Sequence, residues 1–281
     1  MLTVLDIIKR STEFLAKHGV ENARLNTELL VGHALGLKRM QLYLQFERPL
    51  AEPELAKIRP LVKRRSEREP LQYIVGSTDF AGVTLKVDKR ALIPRPETEL
   101  VVEFAKELCT PLPATVLDLG TGSGALALAL AKVFPESKVT GVDVSGGALA
   151  LAHENATALG LAERVTFLES HWFAAVPAEL KFDLIVANPP YLSDAEVAET
   201  APEVKAFEPH GALSSGATGL EALEIIFREA KPRLNSGGWL LCETGIAQHA
   251  QLLDWARAAG YAHVESRKDL TGRDRFVLAR T

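Results

Sequence analysis

The stretch "VANPPYLS", residues 186–193, runs an apolar segment directly into Asn188, Pro189, Pro190 and Tyr191. Neither proline has an N–H to give to a sheet ladder, so a strand stops here with Asn188 at its tip and the following backbone held extended. The asparagine carbonyl accepts N–H groups, and the Pro189 carbonyl stands beside it as a second acceptor. Two acceptors aimed at one NH2 group select a planar amide or an aromatic amine. The lone pair of such a nitrogen is delocalised. Acceptors that hold both hydrogens favour the tetrahedral geometry developing on attack, so proximity and preorganised dipoles supply the rate without a strong base. Tyr191 is placed to pack against the planar group. Taken alone, the same four residues also suit a rigid turn.

A second motif, "VLDLGTGSGALALALA", places Asp118 at a strand end, then Gly120, Gly122 and Gly124, then a helix rich in Ala and Leu. Glycines serve where backbone turns tightly and approaches a ligand, with the unpaired N–H groups of a helix N-terminus beyond. The spacing fits nicotinamide dinucleotides and S-adenosylmethionine alike. Asp118 favours the latter. A carboxylate at that position repels a pyrophosphate and attracts the ammonium and sulfonium of the methyl donor. Asp143, 23 positions after Gly120, ends the next strand where an acid can accept hydrogen bonds from ribose hydroxyls; the competing reading is an N-cap of the following helix. Trp172 in "FLESHWF" is placed either to cover an adenine or to fill core. His171 has no companions in metal-ligand spacing, and no metal is expected.

These groups need a frame that brings strand ends to one edge. Apolar runs "TVLDLG", "KVTGVDV", "RVTFLE", "FDLIVA" and "GGWLLCETG" alternate with helical patterns near 124–134, 146–160, 219–234 and 247–259. Short apolar strands alternating with helices predict an α/β fold whose mostly parallel sheet is covered on both faces. The last two runs, "AHVESRKDL" and "RDRFVLAR", have no helix between them and predict an antiparallel edge hairpin. In such a sheet the fourth run ends at the same edge as the glycine loop, so Asn188 faces the transferable methyl group across the crevice.

The first 70 residues read as helices only. Thr3 and Asp6 form a capping-box pattern, Gly19 and Gly36 are placed as stops, and a further helix starts near Pro53 with Pro60 as an expected kink. From "PLQYIVG" the pattern turns to β-like alternation, predicting a hairpin linker. The expected division is a helical domain over 1–72, a β-hairpin linker over 73–94 and the α/β domain over 95–281.

Composition agrees with a folded globular protein, at 47% apolar and 24% charged. Absence of a membrane-length apolar run or an evident export signal, and two cysteines (Cys109 and Cys242) in no metal or CxxC spacing, lead us to expect a cytoplasmic protein without a membrane partner. The net charge of −4 divides unevenly. Residues 1–75 hold 13 Lys and Arg against 9 Asp and Glu, a net of +4, and the remainder holds 19 against 27, a net of −8. An acidic body does not suit a coat for nucleic acid, and no stable nucleic-acid partner is expected.

Taken together, "LIPRPETE", "VLDLGTGSGALALALA", "GVDVS", "FDLIVANPPY", "FEPHGAL", "GLEAL" and "DLTGRDR" resemble the HemK-type methyltransferases that modify the glutamine of peptide chain release factors. The match extends over nearly the whole chain. The resemblance implies a class I, Rossmann-like methyltransferase domain joined through a β-hairpin to an N-terminal helical substrate-recognition domain. It implies methyl transfer from S-adenosylmethionine, leaving S-adenosylhomocysteine, to the glutamine side-chain amide of the Gly-Gly-Gln motif in class I release factors, by a monomer. It places Gly120, Thr121, Gly122, Ser123, Gly124, Asp143, Trp172 and Asn188 on the cofactor, and Asn188, Pro189, Pro190 and Tyr191 on the glutamine, with Asn188 and Pro189 catalytic. Where the family often has "GDWF", this chain has "ESHWF", with Ser170 and His171 in place of Gly and Asp; "NTELL" stands for a more usual "DAELL". Two other readings share the motifs: methylation of the exocyclic amine of adenine in DNA or RNA, which calls for a basic channel, and a binding module that keeps the cofactor fold without catalysis. The basic run Arg59, Lys63, Arg64, Arg65 and Arg68 is the cluster suited to phosphate, to an acidic protein surface, or simply to a solvated helix face.

Overall fold

The computed structural model describes residues 2–281. They separate into two compact units: the residues through Ser77 with Ala201–Phe207, and Thr78–Thr200 with Glu208–Thr281.

The first unit is helical: α1 (Val4–Lys17), α2 (Ala23–Leu35), α3 (Arg39–Tyr43), α4 (Glu52–Ser66) and α5 (Leu71–Val75). At the start of α1, Thr3 Oγ1 accepts from the Asp6 N–H at 3.2 Å and the Asp6 carboxylate accepts from the Thr3 N–H at 2.9 Å, the reciprocal cap its sequence predicts. Helix α2 stops at Gly36, in the left-handed conformation. Helix α4 runs continuously through Pro60, which lies on its exposed side, while Leu55, Ile58 and Val62 face the core formed with Val4, Ile8, Leu15, Leu30 and Leu42.

The five residues of the basic run, Arg59, Lys63, Arg64, Arg65 and Arg68, are paired within this unit. Arg59 pairs with Glu52, Lys63 with Glu67, and Arg64 with Glu69. Arg65 and Arg68 both reach Glu203, at 2.9 and 2.6 Å. Arg65 is buried and also donates to Asn26 Oδ1 at 2.7 Å.

One expectation fails between the units. The "LQYIV" segment, read above as part of the hairpin, is the short helix α5, set off by Pro70 before it and a left-handed Gly76 after it. Five residues are too few for alternation to separate the two periods. The hairpin proper is β1 (Ser77–Phe80) and β2 (Val83–Lys86), joined by Ala81 and Gly82, both with positive φ as a tight two-residue turn requires.

The second unit contains α6 (Glu99–Leu108), β3 (Thr115–Leu119), α7 (Ala125–Val133), β4 (Lys138–Asp143), α8 (Gly146–Ala158), β5 (Val165–Glu169), β6 (Phe182–Ala187) and α9 (Asp194–Glu199). After α10 (Pro202–Phe207), which groups with the helical unit rather than with its sequence neighbours, come α11 (Glu221–Ala230), β7 (Leu234–Glu243), α12 (His249–Ala258), β8 (His263–Lys268) and β9 (Asp274–Arg280). The sheet order is β5-β4-β3-β6-β7-β9-β8. The first five strands in that order run parallel; β9 is antiparallel to both β7 and β8, so the final hairpin closes the edge with its last strand inward. Strand β6 shows why both faces read as apolar: Leu184 and Val186 face the core under α6 and α7, while Ile185 and Ala187 face the core under α11 and α12.

Candidate active site

The chain order along the sheet reverses beside β3: β4 and β5 extend one way, and β6 returns to its other side. Ligand crevices of open α/β sheets form at such a switch point. The register carries the motifs there. Leu119 pairs with Ala187, so the glycine loop and Asn188 leave adjacent strands side by side. Ala187 in turn pairs with Cys242, which brings Glu243 alongside Asn188. A cavity of about 430 Å³ opens at this edge.

Its floor is polar. Asp118 Oδ2 accepts from Thr121 Oγ1 at 2.6 Å and from the Ala127 N–H at 3.1 Å, whereas Oδ1, also buried, has no partner. Burial, with some help from the nearby Asp143 charge, pushes the Asp118 carboxyl up to about 7. Asp143 accepts from the Gly122 N–H and from the Ser145 N–H, both at 2.9 Å, and burial raises its pKa against those bonds. It is not the N-cap of α8. That role belongs to Ser145, whose Oγ accepts from the Ala148 N–H at 3.2 Å. Asp143 thus ties the glycine loop to β4 from the cavity wall.

Gly120, Thr121, Gly122 and Ser123 line the cavity; Gly124 does not. With φ +83°, Gly124 caps α7, and a Cβ there would stand 3.0 Å from Leu128 and 3.2 Å from Ala152, so its smallness serves packing.

Trp172 lines the cavity half-buried, with φ +52°, an uncommon conformation for a side chain of its size. Ser170 holds that turn: its N–H donates to the Asp143 carbonyl at 2.9 Å, its Oγ donates to the Trp172 carbonyl at 2.8 Å and accepts from the Ala175 N–H at 2.9 Å. The serine that departs from the usual motif is therefore a buried brace, and His171 is exposed on the cavity wall.

Asn188 and Pro190 line the cavity, Pro189 is buried behind them, and Tyr191 lies off the wall with its hydroxyl donating to Glu243 Oε1 at 3.3 Å. Asn188 Nδ2 donates to Thr98 Oγ1 at 3.0 Å, and Thr98 donates to Glu243 Oε2 at 2.6 Å. Among the described residues no donor reaches Asn188 Oδ1 or the Pro189 carbonyl. Arg275 donates to the Tyr191 hydroxyl at 3.3 Å and lies 5.7 Å from the ring centre.

Several contributors lie in motifs whose role their spacing alone does not disclose. In "LIPRPETE", Pro94 and Thr98 line the cavity, and Arg95 donates to both oxygens of the buried Glu208, at 2.9 and 2.8 Å. Glu208 is the second residue of "FEPHGAL", whose Pro209, Gly211 and Ala212 also reach the cavity, so one ion pair joins two stretches of its wall. In "GLEAL", a Cβ on Gly219 (φ +75°) would stand 2.6 Å from the Tyr191 carbonyl oxygen. Gln248 Nε2 bridges that carbonyl and the Gly219 carbonyl, at 2.9 Å each.

Two family profiles match the chain: a PrmC N-terminal domain over residues 6–76 and a methyltransferase small domain over residues 98–206. A curated release factor glutamine methyltransferase from Geobacter sulfurreducens is 44% identical over 278 residues, covering 99% of this chain and 96% of the relative. The chain belongs to the release factor glutamine methyltransferases. A second member of the family, from Rhodopirellula baltica, is 40% identical over 98% of this chain and 95% of its own length. The solved hMettl16 catalytic domain in complex with MAT2A 3'UTR hairpin 6 superposes with a TM-score of 0.59 at 17% identity, over 82% of each chain, a likeness of fold. The fold is that of class I methyltransferases, and the donor of this release factor glutamine methyltransferase is S-adenosylmethionine. The cavity fits it. The partnerless, buried Asp118 Oδ1 is an acceptor suited to an ammonium, the Asp143 carboxylate lies on the wall one strand away, and Trp172 offers an aromatic face.

Proposed function

We propose that this chain methylates the side-chain amide nitrogen of the glutamine in the Gly-Gly-Gln motif of peptide chain release factors, with Asn188 and the Pro189 carbonyl as the groups that hold the reacting NH2. When bound, S-adenosylmethionine supplies a methyl group on a sulfonium, open to displacement by a neutral nitrogen. Asp118 Oδ1 takes the ammonium, Asp143 the ribose hydroxyls and Trp172 the adenine, while the backbone from Gly120 to Ser123 closes around the methionine portion. Asn188 Oδ1 and the Pro189 carbonyl accept one amide N–H each and draw the nitrogen toward pyramidal geometry. Pro190 confines the planar group; Tyr191, held by Glu243 and Arg275, supports the loop from behind. As the new N–C bond forms, the methyl–sulfur bond breaks to leave S-adenosylhomocysteine, and the nitrogen gives one of its two protons to solvent. The chain acts as a cytoplasmic monomer, and the helical unit serves recognition of the protein substrate.

The observation that carries this reading is Asn188 on the cavity wall, its Nδ2 bonded to Thr98 and its Oδ1 without a donor among the described residues, in a chain 44% identical to a named release factor glutamine methyltransferase. The adenine reading needs free cationic surface for a polyanion, whereas Arg59, Lys63, Arg64, Arg65 and Arg68 are each paired with a carboxylate. Incubation with labelled S-adenosylmethionine and either release factor or nucleic acid tests the choice. Label is expected in the factor, as one added methyl on its Gly-Gly-Gln peptide; label in nucleic acid alone would reject the reading. Asn188→Ala is expected to abolish transfer while cofactor binding stays largely intact, measured by calorimetry.

A further inference from the structure

An asparagine amide has two edges of opposite hydrogen-bonding sense and nearly the same size, so sterics alone do not fix which one faces a ligand. The proposed transfer needs Oδ1 toward the incoming NH2 and Nδ2 away from it. The group bonded to Asn188 is the hydroxyl of Thr98, itself on the cavity wall, and a hydroxyl is ambivalent: it accepts from an NH2 as readily as it donates to a carbonyl. What removes the ambivalence is Glu243. Thr98 has one proton, and it goes to Glu243 Oε2 at 2.6 Å. Burial raises the Glu243 pKa, while the Thr98 hydroxyl, the Arg275 charge and the Tyr191 hydroxyl favour its charged form; in that form the carboxylate only accepts, so Thr98 is left with lone pairs for Asn188, and Nδ2 donates to it at 3.0 Å. The sense runs one way from carboxylate to substrate.

We propose that Thr98 and Glu243 are positioning residues that set the sense of the Asn188 amide, so that its carbonyl faces the substrate nitrogen. The proposal rests on the reading of Asn188 as an acceptor given above. The elements support it independently. Thr98 ends the turn Pro96–Thr98 that opens α6, and Glu243 ends β7, which pairs with β6 in the register that aligns Cys242 with Ala187. The three residues therefore converge from three separate elements at the tip of β6. Both Glu243 oxygens are engaged, Oε2 by Thr98 and Oε1 by the Tyr191 hydroxyl, and Arg275 behind that hydroxyl supplies positive charge. Glu243 is buried and touches no part of the cavity surface, as expected of a group that acts through another.

The test compares Thr98→Val, Thr98→Ser, Glu243→Gln and Asn188→Ala in steady-state transfer to release factor, with cofactor affinity and thermal melting recorded for each. Thr98→Val removes the relay at constant size and is expected to lower kcat on the order of tenfold, the effect of one mis-set hydrogen bond, with KM for the factor nearly unchanged. Thr98→Ser, which keeps the hydroxyl, is expected to restore most of the rate. Glu243→Gln offers Thr98 a donor, which frees Thr98 to turn its proton to Asn188, and kcat is expected to fall at least as far. If Asn188→Ala abolishes transfer while Thr98→Val and Glu243→Gln stay within about twofold of the unaltered enzyme, the positioning role is overturned and the acceptor role stands. A Thr98→Ser variant as slow as Thr98→Val also overturns it, since shape alone would then matter. Should Asn188→Ala itself keep its rate, the acceptor reading falls and this inference with it. If Glu243→Gln does not fold, the two Thr98 variants decide.

Discussion

Asp118 ends β3 with one carboxylate oxygen bonded twice and the other not at all, and its burial has carried its pKa up to about 7. In the cofactor-free protein the proton is therefore held up to near neutrality, and the stability this gives is lost as pH rises from about 4 through 7. Binding an ammonium requires the charged form, so below pH 7 the enzyme must release a proton to bind its cofactor. Affinity for S-adenosylmethionine is expected to fall by up to about tenfold per pH unit below 7 and to level off above it. Asp118→Asn should bind more weakly at pH 8 and lose the dependence, which calorimetry in buffers of different ionisation heat would record. Flat affinity from pH 6 to 8 in the unaltered protein would refute the assignment. Asp143, with each oxygen already accepting a backbone N–H, has less to gain from a proton, and its expected part is to hold the loop and the ribose together.

The elements matter here through register. Parallel pairing of β3 with β6 and of β6 with β7 puts three strand ends at the same height; the loops that leave β3 and β6 line the cavity, and the end of β7 stands beside them. The loop after β6 depends on a neighbour distant in sequence. Gly219 lies against the Tyr191 carbonyl, and Gln248 clips the two together. Gly219→Ala would set a methyl group 2.6 Å from that oxygen at a φ of +75°. We expect it to cost about 1–3 kcal/mol in denaturant unfolding and to lower transfer more than cofactor binding, because the displaced backbone is the one that carries Pro189 and Tyr191. Unchanged turnover would show that the Gly219 contact does not govern the loop.

At the scale of the whole molecule, the chain is two units of unlike charge, and in the basic one the arginines at the end of α4 are occupied. Glu203 belongs to a short segment that leaves the α/β unit between residues 200 and 208 and takes its place among the helices, where it meets Arg65 and Arg68. Glu203→Ala would leave the buried Arg65 with only Asn26 and the Glu69 carbonyl as partners. The expected loss is about 1–3 kcal/mol in the helical unit, read as a lower melting temperature. A melting curve superimposable on that of the unaltered protein would mean that the pair is structurally idle. Among the described residues no helix is long and apolar enough to cross a membrane.

The sequence by itself determined the α/β class, every strand of the large sheet, the stops at Gly36 and after β6, and the chemistry of an accepting edge beside a glycine loop, because each is written in local periodicity or in backbone constraints of Pro and Gly. Residues 71–75 escaped it, since one and a half turns carry no readable period and packing of Tyr73 and Ile74 decides the matter. It also left open whether Asp143 caps α8, a role that the structure gives to Ser145. What only the tertiary structure decided is the set of contacts between residues far apart in the chain: Thr98 and Glu243 behind Asn188, Arg95 on Glu208, and Gly219 against Tyr191. A hydrogen bond spanning 145 positions leaves no mark on either residue's neighbours, and only the sheet register that aligns the strand ends makes it possible.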